Sequence, residues 1–191
     1  MHTVHHTDAF IVKSQPAGEA NRRIWLFTRD FGLVVAMVQG VRKQGAKLQM
    51  QLSDYSLASV DLVKGKEVWR LVSASLESAP LMQEPRAPFA RGFVRTLSAV
   101  ERFCQGEDPH PELFDHLREC LEALNRGEGE AGAYDSLSLW KVMVLLGYVA
   151  VLEEDEALYR APLADAVRAI DAATKRRIVQ EVNETIKQTH L

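Results

Sequence analysis

The chain has 191 residues, of which 47% are apolar and 26% charged, and its formal net charge is −3. This composition excludes disordered and low-complexity classes, and the length suits one or two domains. Its 2 cysteines are too few for a disulfide framework or a four-thiolate zinc cluster. No apolar run reaches the roughly 20 residues of a membrane span, and no secretory signal opens the sequence. We therefore expect a soluble, cytoplasmic protein without a cofactor.

Charge is distributed unevenly along the chain. Residues 1–78 have a balance of +3, so the remainder has a balance of −6. Such an asymmetry is informative about the partners of each part. The first part is therefore the better candidate for a polyanionic partner, although the chain as a whole is acidic.

Short apolar runs separated by turn residues predict five strands in the first part. Lys64-Gly65-Lys66 separates the last two runs and predicts a tight hairpin. Five short antiparallel strands favour a small closed barrel, because an open sheet would expose its edges. The predicted strands are Ala9–Lys13, Arg22–Thr28, Leu33–Gln39, Leu57–Val63 and Glu67–Ala74.

After Pro80 the apolar residues recur at spacings of three and four, which is typical of amphipathic helices. Three prolines within residues 80–88 mark a junction. We therefore expect an α+β protein, with a barrel domain over residues 1–79 and an all-α domain over residues 80–191. Asp171 is the expected N-cap of the last helix, and residues 127–132 predict a flexible loop. The predicted helices are Arg86–Cys104, a second that begins at Pro111 and stops at Gly127, Leu137–Gly147, Leu163–Ile170 and Ala172–Gln188.

No familiar catalytic or phosphate-loop motif is present: the G-x-S-x-G, G-x-x-x-x-G-K-S/T, H-E-x-x-H and G-x-G-x-x-G patterns are all missing. We interpret the N-terminal histidines His2, His5 and His6, and the acidic run Glu153–Glu156, as solvated polar residues. Cys104 and Cys120 have apolar neighbours and are interpreted as small buried hydrophobes. The sequence therefore predicts a protein that is not an enzyme, with no catalytic or metal-binding residue.

Basic residues supply the candidate binding site. Arg22 and Arg23 open the second predicted strand, and a glycine-flanked loop after the third strand carries Arg42, Lys43 and Lys47. Glycines let the loop backbone approach phosphates closely, and the positive side chains neutralise them. This group therefore indicates a partner with a phosphate backbone.

An aromatic pair and a second arginine group have more than one interpretation. Trp25 and Phe27 share one face of their strand, which we expect to be the barrel interior rather than a base-stacking surface. In the first long helix, Arg91, Arg95 and Arg102 lie within about 40° of one another. This arginine strip is either a solvated helix face or a binding site for phosphates or an acidic peptide.

Several local strings are more specific than these patterns. They are Thr7–Ser14, Gly18–Gly32, Gly40–Lys43, Leu145–Tyr148 and Gln188–Leu191. In this order they resemble the RecO family of bacterial DNA repair proteins. The resemblance implies an OB-fold for the first domain. It also implies a nucleoid-associated protein that binds single- and double-stranded DNA, anneals complementary strands and assists RecA loading.

The resemblance also implies partners and contact residues. It implies that Arg22, Arg23, Arg42, Lys43 and Lys47 contact the DNA backbone. It implies further that RecR is a partner and that the helical domain receives the acidic tail of single-strand-binding protein. From its charge, the arginine strip is a candidate to bind this tail or DNA.

One departure from the family is large. Many members carry a four-cysteine zinc module after the Leu-Leu-Gly-Tyr string, whereas here Val149–Leu152 runs into Glu153–Glu156 without a cysteine. We therefore expect no zinc, and the contact with RecR loses any support from that module. An alternative class is a protein–protein adaptor whose OB-fold no longer binds DNA strongly, in which the acidic helical domain makes the main contacts.

Overall fold

The computed structural model describes residues 3–18, 21–38, 52–66, 68–104, 106–127 and 129–189. Within these ranges five β-strands precede six α-helices, which confirms the α+β class. The strands are β1 Val4–Ala17, β2 Asn21–Thr28, β3 Gly32–Val38, β4 Leu57–Lys64 and β5 Trp69–Ser78. The helices are α1 Ala87–Phe103, α2 Pro111–Arg126, α3 Ala131–Leu145, α4 Glu156–Arg160, α5 Leu163–Ala169 and α6 Ala172–Gln188.

The five strands close into a barrel in the order β1-β2-β3-β5-β4, and β1 pairs with both β2 and β4. Among the described strands, only β3 and β5 pair in parallel, at Ala36–Trp69 and Met37–Arg70. The predicted hairpin joins β4 to β5, and the Gly65 amide donates to the Val68 carbonyl at 3.1 Å. Because the sheet closes on itself, its first and last strands in the spatial order pair with each other, as expected for an OB-fold. The predicted OB-fold barrel is therefore confirmed.

The barrel interior corrects one prediction. On β2 the interior residues are Ile24 and Leu26, so the prediction that Trp25 and Phe27 line the interior is wrong. Phe27 is buried on the outer side, where its ring centroid lies 6.2 Å from that of Phe114, and Trp25 is half-buried. Alternation fixes which residues share a face, but both faces of this strand are apolar. The pattern therefore does not say which face points inward.

The chain divides into two compact units, and the barrel unit includes a segment that runs from the end of α1 into the first turn of α2. The Leu33 amide donates to the Gly106 carbonyl at 3.0 Å, and the ring of Phe114 lies 5.1 Å from that of Phe10. These contacts attach the segment to the barrel. The barrel unit comprises Met1–Ala79 and Cys104–Phe114, and the helical unit comprises Pro80–Phe103 and Asp115–Leu191.

The helical unit is built around α3, which packs against α1, α5 and α6. Leu137 and Trp140 of α3 are almost completely buried, as expected for the most evenly apolar helix. In the described part of the chain, no helix combines the length and apolar character needed to cross a membrane.

Two helix caps show what sequence patterns do and do not reveal. Asp171 caps α6 as predicted, and hydrogen bonds from the Thr174 hydroxyl and two backbone amides lower the pKa of its carboxyl to about 2. Residues 127–132 were expected to form a loop, but α3 begins at Ala131. The Glu130 carboxylate caps this helix by accepting from the Gly132 amide at 2.8 Å. Glutamate is not a preferred N-cap residue, so the pattern missed this start.

A buried ion pair changes the interpretation of the acidic run Glu153–Glu156. Asp155 is only 2% exposed, and its two carboxylate oxygens accept from the guanidinium of Arg177 at 2.7 and 2.9 Å. The other three acids of the run are exposed. The interpretation as solvated surface is therefore wrong for Asp155 and holds for its neighbours.

Gly32 is expected to tolerate no side chain. Its φ is +66°, and a Cβ there would lie 2.3 Å from the Asp108 carbonyl oxygen. Gly32→Ala is therefore expected to lower the free energy of unfolding by about 2–4 kcal/mol, because backbone strain and a backbone clash add. Gly18→Ala is the control, since φ is +78° and no described atom lies within 4 Å. It should lose only about 1–2 kcal/mol. Urea unfolding measures both, and equal losses would contradict the clash.

Candidate nucleic-acid interface

A basic and aromatic patch covers the outer face of β2. We call it the β2 outer patch. In the register of the sheet, Lys13 lies opposite Trp25 on one side of β2, and Val35 and Met37 lie opposite Trp25 and Arg23 on the other. All five side chains are partly or fully exposed. The patch therefore combines apolar surface, an indole ring and two positive charges.

The geometry of the patch suits a nucleic acid strand. The Lys13 ammonium lies 4.5 Å from the centroid of the Trp25 ring, a cation–π distance. Arg23 is exposed, and within the described ranges no carboxylate forms an ion pair with it. A partly exposed indole stacks on bases while neighbouring cations meet phosphates. The face formed by the second and third strands is also where OB-folds bind oligonucleotides.

Arg22 lies apart from the β2 outer patch. It shares the strand face that lines the barrel and is half-buried. Its guanidinium donates to the Ser14 hydroxyl, which in turn donates to the Asp54 carboxylate at 2.9 Å. The structure therefore separates Arg22 from Arg23, which adjacency in sequence grouped together, because successive strand residues point to opposite faces.

The remaining predicted DNA contacts of the barrel, Arg42, Lys43 and Lys47, lie outside the described residues. Their contact with a DNA backbone stays a prediction. The sequence analysis in turn missed Lys13 and Met37 and assigned Trp25 to the wrong face. Strand alternation places Trp25 on the same face as exposed Arg23, and this was a signal that Trp25 lies on the outer face. The bulge between Ile11 and Lys13, which sets the register of Lys13, left no sequence signal.

The arginine strip divides between two environments. Arg91 and Arg95 line a groove of about 790 Å³ between α1 and α3, which we call the α1–α3 groove. Arg102 is not part of this groove, and its guanidinium donates to the Thr189 carbonyl at 3.5 Å. The apolar lining of the groove comes from Met82, Ala87, Pro88, Ala90, Val94 and Ala131.

Within the α1–α3 groove the two arginines differ. Arg95 forms an ion pair with Asp135, and Arg91 is exposed. Burial raises the pKa of the Asp135 carboxyl, and Arg95 works against this shift. One oxygen of that carboxylate is buried and accepts no hydrogen bond from a described residue. Arg91 is therefore the better placed of the two to meet an anion.

Both cysteines are buried, as expected. Burial raises the pKa of the Cys104 thiol to about 12. The Cys120 sulfur lies 3.5 Å from Nε2 of His116, but this cysteine is fully buried and out of reach of a substrate. Among the described residues, no group of three or more His, Cys, Asp or Glu side chains is arranged to hold a metal ion.

The closed five-stranded barrel and the helices after it define an OB-fold protein with an appended helical unit. Two family models match the chain: Recombination protein O N terminal over residues 1–79 and Recombination protein O C terminal over residues 97–175. The chain belongs to the RecO family.

Curated relatives agree with this assignment. The chain is 30% identical over 156 residues to DNA repair protein RecO of Neisseria meningitidis, which covers 81% of this chain and 57% of the relative. It is 30% identical over 121 residues to the protein of the same name from Marinobacter nauticus. This match covers 63% of this chain and 48% of the relative. It is 28% identical over 153 residues to the protein of the same name from Rubrobacter xylanophilus. This match covers 78% of this chain and 60% of the relative. The chain thus spans between about half and three fifths of the length of these relatives. The family is one of DNA repair and recombination.

Proposed function

We propose that this chain is a DNA repair and recombination mediator that binds single- and double-stranded DNA, anneals complementary strands and catalyses no reaction. The β2 outer patch is the observation that carries the proposal, because it combines Trp25 with the cations Lys13 and Arg23 on the ligand-binding face of an OB-fold. Membership of the RecO family supports the same role.

The chemistry of the β2 outer patch fits annealing. Two strands anneal when their phosphates are neutralised while their base edges stay free to pair. Lysine and arginine side chains neutralise phosphates without reading sequence, and stacking on an indole is tolerant of base identity. The proposed contacts beyond the patch are Arg22, Arg42, Lys43 and Lys47.

The α1–α3 groove supports a second partner, the acidic tail of single-strand-binding protein. Its apolar lining suits an aromatic side chain of such a tail, and exposed Arg91 suits a carboxylate. Binding of RecR and help in loading RecA follow as proposals from family membership. The acidic balance of residues 79–191, −6, favours the adaptor alternative, in which protein contacts dominate.

Reversing the charges of Arg42 and Lys43 tests the proposed function. Arg42→Glu with Lys43→Glu is expected to weaken single-stranded DNA binding more than tenfold at about 100 mM salt, because two phosphate contacts are lost and repulsion is added. Fluorescence anisotropy of a labelled oligonucleotide measures binding, and a strand-annealing assay measures activity.

The control, Arg126→Glu with Arg160→Glu, reverses the charges of two arginines in the helical unit. It changes the net charge by the same amount as Arg42→Glu with Lys43→Glu. The control is expected to bind nearly as the parent does. Unchanged binding by the Arg42→Glu, Lys43→Glu variant would contradict the proposed contacts. No salt-sensitive DNA binding by the parent, together with saturable binding of a peptide ending in acidic residues and Phe, would favour the adaptor.

A further inference from the structure

A carboxylate of the chain itself fills an anion site beside the β4–β5 hairpin. One oxygen of Glu107 accepts from the Lys64 ammonium at 2.6 Å, and the other accepts from the Trp69 indole N–H at 2.8 Å. Trp69 is 3% exposed, and the Lys64 ammonium also lies 5.3 Å from the centroid of its ring. All three residues belong to the barrel unit.

The Trp69 donor is held in place whether or not Glu107 is present. The Trp69 ring packs against the rings of His5 and Phe31, with centroids 5.5 and 5.1 Å away, so its N–H direction is fixed. The hydrogen bond from Lys64 lowers the pKa of the Glu107 carboxyl, so this group stays ionised. An ammonium and an indole N–H that together bind the two oxygens of a carboxylate can also bind the oxygens of a phosphate.

The side chain of Glu107 can leave this site without a change in the fold. Its side chain is 43% exposed and that of Lys64 is 59% exposed, so the site opens to solvent. The neighbouring backbone is held independently, because the Leu33 amide donates to the Gly106 carbonyl. Rotation of one glutamate side chain therefore frees both donors.

We propose that Lys64 and Trp69 form a phosphate-binding site for single-stranded DNA, and that Glu107 occupies this site until DNA displaces it. This inference rests on the proposed function and adds a site that the sequence analysis did not assign. The loop between the fourth and fifth strands of an OB-fold is a common contact for oligonucleotides. Competition by Glu107 lowers affinity, which suits a mediator that must release its strands.

Glu107→Gln tests the competition. The variant is expected to bind single-stranded DNA about fivefold more tightly at about 0.1 M salt, and the log–log salt slope should steepen by about 0.7, the value for one phosphate. Asp108→Asn is the matched control, because its side chain is 77% exposed and the charge change is the same. The control should change affinity less than about twofold and leave the slope unchanged.

Two further variants separate this site from net charge. Glu107→Asp keeps the charge but is one methylene too short to reach both donors, so it should also tighten binding. In a Lys64→Gln background, Glu107→Gln should give no gain. Thermal unfolding confirms that each variant is folded.

Equal affinity of Glu107→Gln and Asp108→Asn, or a gain that persists with Lys64→Gln, would overturn the inference and leave DNA binding by the barrel intact. Absence of DNA binding by parent and variants at about 20 mM salt would contradict both the inference and the proposed function.

Discussion

Trp25→Ala is expected to weaken single-stranded DNA binding about 5- to 150-fold, which corresponds to the 1–3 kcal/mol of one stacked base. Trp25 lies on the outer face of β2, half-buried and beside the Lys13 ammonium, and it contributes no surface to the barrel interior. The substitution should therefore affect binding much more than folding. Fluorescence anisotropy of a labelled oligonucleotide measures the first, and thermal unfolding the second.

Two controls show whether stacking is the cause. Trp25→Phe keeps an aromatic face and should retain most of the affinity. An abasic oligonucleotide of the same length keeps the phosphates, so the parent and Trp25→Ala should bind it almost equally. A folded Trp25→Ala protein that binds the ordinary oligonucleotide as tightly as the parent would contradict the role of the β2 outer patch.

Arg177→Leu is expected to lower the free energy of unfolding by about 3–5 kcal/mol, because it leaves a buried carboxylate without its partner. Asp155 is 2% exposed and depends on two hydrogen bonds from Arg177. Removing the other partner's charge, with Asp155→Asn, should lower the free energy of unfolding by less. The Arg177 side chain is 35% exposed and keeps Glu154 at 3.2 Å, so its charge remains solvated and paired.

Arg160→Leu is the matched control for this prediction. Arg160 pairs with Glu156 at 2.7 Å on the exposed surface of α4, and both side chains are more than half exposed. Such surface pairs contribute about 0–1 kcal/mol. Urea unfolding followed by circular dichroism measures all three variants. Similar losses for Arg177→Leu and Arg160→Leu would contradict a structural role for the buried pair.

The elements of the fold were predictable because their signals are local. Five apolar runs and their turn residues indicated five strands, and the cap at Asp171 was visible as an aspartate before an amphipathic helix. Strand length was less visible: β1 extends over Val4–Ala17, well beyond the predicted Ala9–Lys13. Its ends are polar and alternate weakly, so no hydrophobic pattern marks them.

The candidate site was less predictable because it depends on contacts between distant segments. Adjacent basic residues suggested a single group, but strand alternation sends Arg22 and Arg23 to opposite faces. Phe114 packs against Phe27 and buries part of the outer face of β2, and nothing in the β2 sequence indicates this contact. Glu107 meets Lys64 across 43 residues for the same reason.

The salt dependence of single-stranded DNA binding tests the central claim most directly. With about five phosphate contacts, the log of the association constant should fall with the log of salt concentration at a slope near −3.5. Affinity should be readily measurable at about 20 mM salt and largely lost by about 500 mM. Absence of binding at the lowest salt, or binding that does not change with salt, would contradict the claim that this barrel binds DNA through its basic and aromatic outer face.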